Sequence, residues 1–266
     1  MTNFDIFESL GDFSRALNTR PVNALFKRKK VLPSQDADGY NWYGTPNYQT
    51  ADKLLLNGDK ENAAKIQTAL NTRLRLNGGG CAPQNTLYNS VQGFAPNMGR
   101  LLSGHPENML NIRRTMRDSS KVVTVIYNCS ADGSYTAEDK IGGGIKALEA
   151  VCRLEKAGYR CNLYVGTIND DGCNNYSVFV KVKDAGKMLD VTRLAYTFVN
   201  PSFHRRHMFA WRERTARYED SAMGRSVLGK EAEDLMRQNV RFAGAIYIDF
   251  DSARKKNFDE LIKNRL

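Results

Sequence analysis

Two stretches decide the fold: VVTVIYNCS (122–130) and CNLYVGTI (161–168), joined by DKIGGGIKALEAVCRLEKAGY (139–159). The first is a continuous apolar run, the pattern of a strand buried on both faces of a parallel sheet. In the joining segment Ile141, Ile145, Leu148, Val151, Cys152 and Leu154 recur at helical spacing, and Gly158 ends the helix. Beyond the second strand, YSVFVKVK (176–183) alternates through Tyr176, Val178, Val180 and Val182. It reads as the return arm of an antiparallel hairpin with Asp171-Gly172 in the turn.

Working outward, PSFHRRHMFAWRERTARY (201–218) and KEAEDLMRQNV (230–240) read as helices. RFAGAIYIDF (241–250) is a second apolar strand, and ARKKNFDELIKNRL (253–266) is a closing amphipathic helix. The order β-α-β-β-α-α-β-α predicts an α/β fold of three layers. Its Rossmann-like sheet is mostly parallel with one antiparallel edge strand, and helices lie on both faces. Upstream, Phe4, Phe7, Leu10, Phe13 and Leu17 fall at helical spacing and predict a helical arm. Thr45 or Asn47 can cap a short helix that ends at Gly58. Asp59 then starts a second helix to about Leu76, with Ala63, Ile66, Leu70 and Leu74 inward. An irregular connection over 78–100 follows. The expected organisation is a helical and irregular extension (1–118) packed on an α/β domain (119–266).

Composition excludes several classes. No run approaches the ~18 consecutive apolar residues of a membrane span. The N-terminal MTNFDIFESLGDF is acidic and amphipathic, unlike a secretory signal. A cytoplasmic setting is expected. The five cysteines are scattered without zinc spacing, and Cys129, Cys152 and Cys161 sit inside apolar segments as small core residues. The formal net charge of +10 admits an acidic partner such as nucleic acid, or simply keeps the chain soluble.

Four segments carry a family resemblance: WYGTPNYQTADKLLLNGDKENAAKI (42–66), VQGFAPNMGRLLSGHPENM (91–109), KIGGGIKALEAVCRLEKAGYRCNLYV (140–165) and NPSFHRRHMFAWRER (200–214). In this order the chain resembles uncharacterised phage and prophage proteins with a von Willebrand A-like (vWA-like) α/β domain. The resemblance implies that architecture, a phage-type source, and a place in the bacterial host cytoplasm or the virion. It supplies no mechanism.

A vWA domain holds a divalent metal through an Asp-x-Ser-x-Ser loop after its first strand, with a Thr and an Asp from later loops. The matching loop here is Asn128-Cys129-Ser130-Ala131-Asp132, so Asn replaces the first Asp and Asp132 replaces the second Ser. Ser130, Asp132 and Asp251 are the candidate oxygen ligands for Mg²⁺, with Asp249, Asp190 and Thr192 nearby in pattern. Against them, Asp132-Gly133 is equally an ordinary turn. Gly142-Gly143-Gly144 lacks any phosphate-loop or dinucleotide fingerprint, so close helix packing is the favoured reading.

The 201–217 segment interleaves Arg205, Arg206, Arg212, Arg214 and Arg217 with Phe203, Phe209 and Trp211. Together with Lys29 and Lys30 of the run 27–30, Arg205, Arg206 and Arg212 form the candidate nucleic-acid surface. The competing reading makes Phe209 and Trp211 core anchors with acid-paired arginines. His204 and His207 do not form an HExxH pair, His105 has no partner in pattern, and no nucleophile elbow occurs. Catalysis has no support in these motifs. The expected function is therefore a non-catalytic, phage-encoded interaction or scaffolding protein. It would bind a protein partner through the carboxyl-end loops or the 201–217 helix. The alternatives are a nucleic-acid-binding protein and a divalent-metal-dependent enzyme.

Overall fold

The apolar run at 122 forms strand β5 (Val122–Asn128), and side chains along it alternate between two cores as period-2 geometry requires. Val125 and Tyr127 enter the larger core, while Ile126 enters the smaller one. The computed structural model describes residues 2–27, 29–36, 40–76, 85–114, 121–170, 175–215, 225–256, 260 and 262.

Helix α5 (Ala137–Lys156) follows β5, opened by a capping box between Thr136 and Asp139. Strand β6 (Arg160–Asp170) then pairs parallel to β5, and β7 (Asn175–Lys183) pairs antiparallel to β6. The expected hairpin is present, although its turn at 171–174 lies outside the described residues. Strand β9 (Ile246–Asp249) pairs parallel to the other side of β5.

Two features correct the expected sheet. Residues Thr2–Phe7 form strand β1, not a helix, and pair parallel to β7 with Thr2 opposite Asn175. The antiparallel strand β7 is therefore interior, and β1 takes the edge. The sheet order is β1-β7-β6-β5-β9, with a two-residue β8 (Arg225–Ser226) added to the end of β6. The spacing that imitated a helix was strand alternation: Phe4 and Ile6 pack on the smaller core and Phe7 on the larger. The helix α1 (Leu10–Thr19) begins only after Ser9, whose hydroxyl accepts from the Asp12 amide. Because β1 lies in the same sheet as β5–β7, the segments expected at 1–118 and 119–266 share one sheet.

Helices α2 (Tyr48–Asn57) and α3 (Lys60–Leu76) form where expected. Asn47 caps α2, and Gly58 closes it at φ 81°. The larger core covers one sheet face with α1, α2, α3, α5 and the helical segments after β7. The opposite face is covered by Val227, Phe242, and Ala232 and Met236 of α8 (Gly229–Arg237).

The segment after β7 departs from ordinary helix. Short helix α6 (Val191–Leu194) runs into a π-helical turn at Ala195–Val199, where the Asn200 amide bonds Ala195 O five residues back. A second π-helical stretch, Phe203–Met208, continues into α7 (Phe209–Thr215).

The connection expected to be irregular instead holds a second sheet. Strands β2 (Asn85–Ser90), β3 (Ala95–Pro96) and β4 (Met109–Arg114) pair antiparallel in the order β2-β4-β3. The short helix α4 (Met98–Leu102) lies between β3 and β4.

Candidate functional site

In an open α/β sheet, ligands bind beyond the carboxyl ends of the strands where the winding reverses, which here is β5, flanked by β6 and β9. Asn128 ends β5 and is fully buried. Its amide nitrogen donates to Val227 O at 2.9 Å and to the Tyr247 hydroxyl at 2.8 Å, while its oxygen accepts from the Ser130 amide. A carboxylate cannot donate to Val227 O, so an asparagine at this position has a structural cause. Val227 is itself buried.

The candidate metal ligands are engaged elsewhere. The Ser130 hydroxyl donates to Ile168 O and accepts from the Ile168 amide, tying the loop to β6. Asp132 is exposed and accepts from the Ser134 amide, as a turn residue does. Asp251 accepts from the Lys255 ammonium at 2.6 Å and from the Tyr135 hydroxyl. Asp249 caps helix α9 (Phe250–Lys255) by accepting from Ser252. Asp190 caps α6 through the Thr192 and Arg193 amides. Among the described residues, no group of three or more His, Cys, Asp or Glu side chains is placed to hold a metal ion.

Beneath the 129–136 loop lies a group that sequence reasoning missed. Lys140 is buried, donates from Nζ to Cys129 O at 2.9 Å and meets His204 Nδ1 at 2.9 Å. Burial pushes its ammonium down to about 7. Cys129 opposes that shift and the Arg205 guanidinium reinforces it. Burial, then Lys140 and Arg205, hold His204 well below the ordinary histidine range. The crevice that His204 lines, with Thr167, Asn169 and Ser177, has a volume of about 20 Å³. That is room for about one water, not for a substrate.

A titration follows from this burial. The folded Lys140 loses its proton near 7 while the unfolded chain keeps it to about 10.5, so the unfolded state binds more protons between those values. Stability rises with pH across that window, and the full cost of burying the charge applies below it. Between pH 7 and pH 9, unfolding free energy should rise by about 2 kcal/mol more in the native chain than in Lys140→Met. Urea titrations at the two pH values measure this. An equal pH response in both chains would show that the folded lysine keeps its proton.

The basic–aromatic helix is internal. Arg205 and Arg206 are both 0% exposed, and Arg212 is buried. Arg205 donates to Trp42 O and Tyr135 O, with its guanidinium 4.0 Å from the centre of the Trp42 ring. Arg206 donates to Ser34 O, Asp36 O and Thr45 O and to the Thr45 hydroxyl, over the Tyr43 ring. Arg212 lies over Tyr176, and Arg214 donates to Leu17 O and Arg20 O. Buried Glu213 accepts from the Ser34 amide and hydroxyl, each at 2.7 Å. The expected outward-facing arginines are thus corrected: Arg205 and Arg206 donate to backbone carbonyls of the 34–45 segment and of Tyr135, and Arg212 packs over Tyr176. Of the predicted basic surface, Lys29 is half-buried over Phe26 and Lys30 is exposed.

The feature most exposed to a partner is the small sheet. None of its side chains described between 87 and 112 is buried, and none joins either core. Among the described residues, twelve large apolar side chains are exposed, and seven of them lie here: Leu87, Val91, Phe94, Met98, Leu101, Leu102 and Ile112. Leu102 is 82% exposed and Phe94 63%. At roughly 100 Å² each they present on the order of 700 Å² of apolar side chain to solvent.

These observations define an α/β protein with an apolar three-stranded appendage. The family described as a domain of unknown function, DUF7192, matches residues 2–261, and the chain belongs to that family. No curated protein and no solved structure matches it.

Proposed function

We propose that this chain is a non-catalytic, phage-encoded interaction or scaffolding protein, built on a vWA-like sheet with a degenerate metal loop. Its partner-binding surface is the β2-β4-β3 appendage. The observation that carries this reading is the concentration of exposed apolar side chains on a sheet that buries none of those described between 87 and 112. A three-stranded sheet gains stability when its apolar face is covered, and a partner docked on these side chains would supply that cover. The order β7-β6-β5-β9, with β7 antiparallel, supports the vWA-like part of the reading. The engagement of Asn128, Ser130 and Asp251 in hydrogen bonds within the protein supports the non-catalytic part.

The nucleic-acid alternative draws on the net charge of +10 and on Lys29 and Lys30, without Arg205 or Arg206.

Site-specific photo-crosslinking tests the interaction reading. Benzophenone side chains at Phe94 and at Leu102 should each give protein adducts in cells, while one at Val240, an isolated exposed apolar residue, should not. Equal yields at all three positions, or none, would refute it.

A further inference from the structure

We propose that residues 131–136, at the carboxyl end of β5, form a proton-controlled latch: the loop is closed while the Lys140 amine is neutral, and protonation of that amine loosens it. The inference goes beyond the interaction reading and does not rest on it, since the latch and the appendage share no residue.

Geometry is the first support. The chain leaving β5 is fixed as far as Ser130, whose hydroxyl is bonded to the Ile168 backbone. Helix α5 fixes it again from Ala137. Between those anchors the loop is held by side chains from elsewhere. The Trp42 indole donates to Gly133 O at 2.9 Å, and Arg205 donates to Tyr135 O at 2.6 Å. Arg205 also donates to Trp42 O and lies over its ring, so one guanidinium clamps both the loop and the residue that holds it. Lys140 is buried beneath, with Nζ 2.9 Å from both Cys129 O and His204 Nδ1 and 5.3 Å from the centre of the Phe250 ring.

Charge is the second. The described carboxylates on the elements around Lys140 are bound elsewhere: Asp132 to the Ser134 amide, Asp139 to Thr136, Asp249 to Ser252, and Asp251 to Lys255 and Tyr135. A proton on Lys140 therefore places a second buried cation near the Arg205 guanidinium, with Cys129 O and an imidazole nitrogen as its acceptors. Lifting the loop lets water solvate it instead.

The sign follows from burial. The closed Lys140 releases its proton near 7, whereas a hydrated lysine keeps it to about 10.5, so the open loop binds more protons between those values. Closure strengthens as pH rises through that window and weakens as pH falls toward 7. The other groups facing Lys140 do not change charge between pH 7 and 9. Burial pushes the Cys129 thiol up to about 12, lowers Arg205 only to about 10, and holds His204 well below the ordinary histidine range. From α9 the group against Lys140 is the Phe250 ring, with Arg254 over Tyr135.

Amide hydrogen exchange of the full chain tests the latch. The amides of Ser134, Tyr135, Thr136, Asp139 and Lys140 are all hydrogen-bonded in the closed loop and the helix start. After correction for intrinsic exchange rates, their opening constant should fall about 100-fold from pH 7 to pH 9, one proton over two pH units. The β6 amides of residues 163–167 should stay more protected at both pH values, because the latch opens without the sheet. In Lys140→Met the opening constant of 131–140 should be the same at both. A pH-independent opening constant in the native chain overturns the proposal. So does one equal to that of β6, because the loop then opens only with the whole fold. A Lys140→Met chain as pH-dependent as the native one also overturns it, by assigning the proton to another group. If that variant does not fold, the native comparison with β6 decides alone.

Discussion

Arg206→Ala should lower the unfolding free energy by about 3–5 kcal/mol, a large share of the ~5–15 kcal/mol that a typical protein has. The guanidinium is 0% exposed and donates to three carbonyls and one hydroxyl within the segment 34–45. Truncation removes the side-chain donors from the carbonyls of buried Ser34 and Thr45, and each unmet group costs about 1–3 kcal/mol. The ring of Tyr43 also loses the cation above it. Arg206→Lys should recover less than half of the loss, because a single ammonium cannot reproduce the planar fork that reaches Ser34 on one side and Thr45 on the other. Equilibrium urea unfolding reads both variants. A loss below about 1 kcal/mol for Arg206→Ala would mean that the 34–45 segment is held by something other than this network.

The second large effect is expected at the glycine triplet. A methyl group at Gly144 would stand 2.1 Å from Phe198 O, on the backbone of the π-helical turn, with no flexible side chain to move aside. Gly144→Ala has to separate α5 from that turn and should cost at least about 2–3 kcal/mol. Two residues earlier the outcome reverses. A methyl at Gly142 meets nothing within 4 Å, and alanine is the better helix former by about 0.5–1 kcal/mol. Gly142→Ala should therefore raise the thermal midpoint while Gly144→Ala lowers it. Two variants that move in the same direction would contradict the packing seen here. The preference for packing over anion binding at this triplet rests on the same contact.

The elements most legible in the sequence were those whose pattern and chemistry agree locally. The 122–130 run, the 139–159 helix and the 161–183 hairpin were found because buried strands and amphipathic helices write their periods into consecutive residues. Asn47, Gly58 and Asp59 likewise marked α2 and α3 through the hydrogen bonds they make. Strand β1 was misread because Phe4 and Phe7 also satisfy helical spacing, and only a neighbour 170 residues away decides between the two. The small sheet was missed because NTLYNS and MLNIRR show no clean apolar alternation, having no core to face. Arg205, Arg206 and Arg212 were misplaced because a cation on an apolar helix looks the same whether its acceptors are water or distant carbonyls. For Arg205 and Arg206 those carbonyls belong to residues 34–45 and to Tyr135, whose sequence carries no mark of the pairing. Lys140 was invisible for a similar reason: position 4 of an amphipathic helix gives no sign of a histidine 64 residues later.

The pairing of β1 with β7 has a consequence for how the protein is made. Thr2 meets Asn175, so the first strand leaves the ribosome about 170 residues before its neighbour exists. At ~5–20 residues per second, that wait is on the order of 10–30 s. Ser34 waits about as long for Glu213, and Thr45 slightly less for Arg206. Throughout that interval the N-terminal segment has no native sheet to join and no guanidinium to close around. Synthesis order and assembly order are therefore opposed, and the segment 2–45 is translated well before the partners that fix it in place.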